Sequence, residues 1–147
     1  MNIFDLPAVV YNEEITAYRD SYMHRTYKVP YINYYIYTRR ASFEFAAKWN
    51  TDLLAFEKPL KRLGAETFHD LAELIASKGY AGVFRGCYVL EEGEFTAILE
   101  PVENGKLSFT FVLGSDELML SATPSALISE FFYLLRRLAK MRKEVEE

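Results

Sequence analysis

The sequence predicts an α+β domain: helices packed on one face of a mainly antiparallel sheet, with a long C-terminal helix. Three observations carry this reading. The hydrophobic period changes from about 3.6 to 2 near residue 80. An Asn104-Gly105 pair sits between two alternating segments, and Asn-Gly is a strong short hairpin signal. From Leu127 onward the apolar residues Phe131, Leu134, Leu138, Met141 and Val145 recur in steps of three and four.

Taken in order, Asn12 can cap a helix opening on Glu13 and Glu14, with Ile15, Tyr18 and Tyr22 as its stripe. Residues 31–38, rich in Tyr and Ile, read as a strand. Ser42 can cap a second helix through Ala46, Trp49, Leu53, Phe56, Leu60 and Leu63, which Pro59 kinks or splits and Gly64 ends. Thr67 caps a third, with Phe68, Leu71, Leu74 and Ile75 inward and Gly79 as its stop. Residues 83–122 then form a four-stranded antiparallel meander: 83–90, 95–99, a strand on Leu107, Phe109, Phe111 and Leu113, and 117–122. Thr123 and Pro124 open the last helix as N-cap and first residue.

The 147 residues are expected to form one domain, 1–147. A hydrophobic share of 50% with 26% charged residues is a globular balance. The lone Cys87 cannot form an intramolecular disulfide, which points to a reducing, cytoplasmic setting. No signal-peptide pattern and no long apolar run appear, so no membrane insertion is expected. A net charge of -4 argues against non-specific nucleic-acid binding.

Searching for chemistry returns little. No phosphate loop, dinucleotide fingerprint, zinc-type cysteine pair or nucleophile elbow is present, and no cofactor or metal is expected. His69 and Glu73, one helical turn apart, could face one ion, but two ligands on a polar face read better as a solvated surface. Cys87 near Arg85, with His24 or His69, could act as a nucleophile; a buried structural thiol fits better. Glu91, Glu92 and Glu94 crowd a turn that nothing desolvates.

Charge is patterned more clearly. Residues 17–40 hold five cations, one acid and seven of the eleven tyrosines. Within them Tyr31, Tyr35, Tyr37, Arg39 and Arg40 are the candidate binding residues, since rings and guanidinium groups suit protein hot spots and unstacked bases alike. Residues 91–117 carry seven acids and one lysine. On the last helix Leu138, Met141 and Val145 are the candidate self-association residues, making a second copy a candidate partner.

Three functions fit: a protein-interaction module (adaptor, inhibitor or immunity/antitoxin-type neutraliser), a nucleotide or single-stranded nucleic-acid binder using 17–40, and an enzyme with an unrecognised site. The first fits best, with an unidentified protein as partner.

Overall fold

A computed structural model describes residues 9–10, 16–23, 30–37, 41–48, 51–84, 86–102 and 104–146; in the strands at 9–37, apart from Tyr35, and in the helix at Leu138 and from 141 on, it describes the backbone alone. The fold is α+β with an antiparallel sheet, as the sequence predicts. Among the described residues nine strands make the sheet: β1 (Val9–Val10), β2 (Thr16–Met23), β3 (Pro30–Tyr37), β4 (Ser42–Lys48), β5 (Tyr80–Ala81), β6 (Tyr88–Glu92), β7 (Phe95–Leu99), β8 (Leu107–Leu113) and β9 (Asp116–Ala122). Their order is β1-β2-β3-β4-β9-β8-β7-β6-β5, so two meanders meet where β4 pairs with β9. Between the meanders run a 3-10 turn (Leu53–Phe56), α1 (Glu57–Leu63) and α2 (Phe68–Lys78); α3 (Ile128–Glu146) follows β9.

Antiparallel strands can bury one face and leave the other to solvent. On β4, Phe43, Phe45 and Ala47 are buried while Ser42, Glu44, Ala46 and Lys48 are half-exposed. Leu107, Phe109 and Phe111 of β8, and Leu118, Leu120 and Ala122 of β9, continue the buried face. The helices cover it. Phe131 of α3 lies 5.5 Å from Phe45, 6.2 Å from Phe43 and 5.9 Å from Phe68 of α2, centroid to centroid. Phe68 in turn meets Phe109 at 5.8 Å. Edge-to-face and offset pairs of this kind add to the area the rings bury.

The two helix starts are stitched together. Thr67 Oγ1 accepts from Asp70 N at 3.1 Å, the expected cap. Phe68 N and His69 N donate to the carbonyls of Ala126 and Pro124, and Ile128 N to that of Glu66. Groups left open at a helix start are thus satisfied by the other helix's approach segment. On the outer side of this layer Arg136 pairs with Glu57, and Lys61 sits 5.9 Å over the Phe132 ring.

Several boundaries differ from the sequence reading. Residues 16–23, expected as part of a helix on Tyr18 and Tyr22, are strand β2; Asn12 through Ile15 lie outside the described residues. The helix expected from Ser42 is strand β4, then the 3-10 turn and α1. Phe43, Phe45 and Ala47 alternate as well as Ala46 and Leu53 step helically, and pairing with β3 and β9 on both edges decides for the strand. Pro59 stands in the first turn of α1, where no intrahelical N–H is required of it. The first meander strand starts at Tyr88, not Val83, because Gly82 N donates to the Cys87 carbonyl and closes the β5–β6 hairpin there. The meander is also only part of the larger sheet. The last helix starts at Ile128, because Thr123 and Pro124 are committed elsewhere: Thr123 Oγ1 accepts from Ser42 N at 3.0 Å. Asn104 and Gly105 do form the β7–β8 turn, with φ of 56° and 74°.

Candidate binding face

Side chains alternate across a strand, so register decides which residues share the uncovered face. Ala46 pairs with Met119, Met119 with Thr110, Thr110 with Ile98, Ile98 with Val89, and Val89 with Tyr80. These six come from β4, β9, β8, β7, β6 and β5, and form a mainly apolar row across the sheet, about 24 Å long at the usual strand spacing. Met119 is 38% and Tyr80 53% exposed, and the other four are half-exposed.

A polar row runs beside it. Tyr35 pairs with Glu44, Glu44 with Ser121, and Ser121 with Ser108, whose carbonyl accepts from Glu100 N at 2.9 Å. Hydrogen bonds hold several of its side chains. Lys106 Nζ lies 3.1 Å from Glu44 Oε1, the Ser108 and Ser121 hydroxyls are 3.1 Å apart, and Thr110 donates to Glu100 Oε1 at 2.8 Å. On the far side of the apolar row stand Glu117, Val112, Thr96 and Glu91. Tyr80 donates its hydroxyl to Glu91 Oε1 at 2.9 Å, and that carboxylate holds the phenol proton and raises its pKa above the ordinary value.

Where the two rows adjoin, Tyr35, Glu44, Ala46, Ser108, Thr110 and Met119 border an open hollow of about 260 Å³. Ligand sites are usually deeper, with polar groups converging on one point. Here the hydroxyls and carboxylates turn to each other. The Ser108 and Ser121 hydroxyls bond each other and that of Thr110 bonds Glu100, so these three are not held by a base as a nucleophile would be.

Of the binding residues read from the sequence, Tyr35 reaches this hollow. Tyr31 and Tyr37 lie on β3, in register with Lys48 and Ser42, with their side chains outside the described set. Arg39 and Arg40 lie outside the described residues altogether. The α3 backbone passes through Leu138, Met141 and Val145, whose side chains are likewise outside that set. His69, Asp70 and Glu73 offer ligand atoms within 4.8 Å of one another, all exposed. Their arrangement is a poor chelate: Glu73 faces Nε2 at 3.4 Å while Asp70 faces Nδ1 at 3.9 Å, and the two lone-pair directions of an imidazole diverge. Cys87 is half-buried in the β5–β6 hairpin loop; Arg85 and His24 are outside the described residues.

The sequence reading missed the apolar row. Val89, Ile98 and Met119 are apolar at solvent-side positions of alternating strands, and that mismatch was the available signal. No described helix is long and apolar enough to cross a membrane. Comparison with protein-family models, with curated proteins and with solved structures gave no match.

Proposed function

We propose that the chain is an intracellular protein-interaction module, of adaptor, inhibitor or neutraliser type, working through the face of its sheet that the described helices leave open. The observation that carries the reading is the half-exposed apolar row from Ala46 to Tyr80, set between polar rows on an open surface. Protein interfaces have this anatomy: an apolar centre, a polar rim and little depth. Tyr35, from the Tyr/Arg segment, stands beside the β4 end of that row and supplies an aromatic contact. Nucleic acid is the weaker reading, because Glu44, Glu91, Glu100 and Glu117 on the same face repel phosphate.

The test uses the immobilised full chain beside Met119→Asp, both checked for the same thermal unfolding. A protein retained from the source lysate by the wild type and lost with the variant supports the reading. Retention that the variant leaves unchanged, or salt-sensitive binding of a single-stranded oligonucleotide instead, overturns it.

A further inference from the structure

Taking the open face as the binding surface, as proposed above, we infer that its partner is a protein segment that is both amphipathic and cationic. Two features of the face select it. The apolar row asks for an apolar ridge about 24 Å long, which a helix of about 16 residues supplies. Carboxylates border the row on both sides: Glu44 and Glu100 on one, Glu117 and Glu91 on the other. The cations described on this face are Lys106, which already holds Glu44, and Lys48. Negative charge is therefore in excess along both flanks of the row.

The carboxylates are placed to accept. Glu91 and Glu117 are exposed, and Glu100 receives a single hydroxyl from Thr110, leaving oxygen lone pairs for a cation. A ligand with Lys or Arg on either side of an apolar stripe meets the row and both borders at once. An anionic or purely polar segment would leave the row wet or set like charges together. The acidic stretch 91–117, conspicuous in the sequence, spans β6 to β9 and so supplies three of the four carboxylates.

The probe is a fluorescein-labelled 18-residue helix of Leu and Lys with one apolar stripe. A Leu/Glu helix of the same pattern and a scrambled Leu/Lys peptide serve as controls. The full chain is compared with Ile98→Asp/Met119→Asp and with Glu91→Gln/Glu117→Gln, each checked by circular dichroism and thermal unfolding. Wild type should bind the Leu/Lys helix at micromolar Kd and perturb amide signals in β6–β9. The Asp pair should weaken binding roughly tenfold or more. The Gln pair should weaken it roughly threefold to tenfold and flatten its salt dependence.

Undiminished binding to the Asp pair, or equal binding of the scrambled peptide, overturns the inference. Equal or tighter binding of the Leu/Glu helix, lost in the Asp pair, also overturns it while leaving the face a binding surface. A wild-type dimer in sedimentation equilibrium, dissociated by the Asp pair, gives the face to a second copy. No binding of either helix and no amide perturbation at the face count against both proposals together.

Discussion

Neighbouring residues on β9 live in different surroundings. Leu120 is 2% exposed beneath the helices, while Met119 is 38% exposed on the other side of the same strand. The pattern repeats on β4 with Phe45 and Ala46, and on β8 with Phe109 and Thr110. One face is filled with phenylalanine rings; the other mixes Met, Ile and Val with Ser, Thr and Glu. Stability is invested in the first face and recognition is proposed for the second. Mutations should therefore separate the two properties.

Replacing Phe131 by Ala gives the largest effect. It removes a ring that touches three others and should cost about 3–5 kcal/mol in urea denaturation. Met119→Ala should cost about 1 kcal/mol or less while impairing binding. Equal losses from the two substitutions would erase the contrast between the faces.

Gly79→Ala comes next. At this position α2 ends against β6, and an added Cβ would run into the carbonyl oxygens of Val89 and Ile75. Both obstacles are backbone, so the helix must shift off the sheet, at about 1–3 kcal/mol in the same assay.

Thr67→Ala removes the side-chain cap of α2 and should cost about 1 kcal/mol. The carbonyls of Ala126 and Pro124 still serve Phe68 N and His69 N, which keeps the loss near that figure.

Glu57→Gln gives the smallest effect and tests the outer edge of the helical layer. The Arg136 guanidinium, with help from Lys61, holds the Glu57 carboxyl below its ordinary pKa, and Arg136 is held above its own by Glu57. A depressed carboxyl stabilises the fold above its unfolded value, and that contribution fades as pH falls through the folded value. The wild type should melt about 2 °C above Glu57→Gln at neutral pH, and the two curves should converge in acid. A gap that persists at low pH would assign the effect to packing.

These features were not equally legible in the sequence. Residues 67–79 carry a cap, a 3.6-residue stripe and a stopping glycine, and every local signal agrees with α2. Residues 107–111 and 117–122 alternate between buried and open on either side of a turn, so β8 and β9 were readable too. Residues 42–48 were not, because Ala46 and the leucines after it fit a helix while Phe43, Phe45 and Ala47 fit a strand. Long-range pairing broke the tie, and a local window cannot contain it. The candidate face was hidden for the same reason. Alternation shows that Met119 and Ile98 point away from the core, but only the strand order sets Ala46 beside Met119.

That strand order also has a consequence for synthesis. β4 is complete at Lys48, but its second neighbour, β9, begins only at Asp116, close to 70 residues later. At translation rates of about 5–20 residues per second, the outer edge of β4 waits roughly 4–14 s for its partner. During that interval Phe43 and Phe45 lie on a strand with one edge unpaired and without α3 above them. Glu44 and Lys48 interrupt the same edge with charge, a device that discourages pairing with a neighbouring nascent chain. Glu44 would thus serve the polypeptide twice, first as a guard on the ribosome and afterwards as part of the border of the finished face.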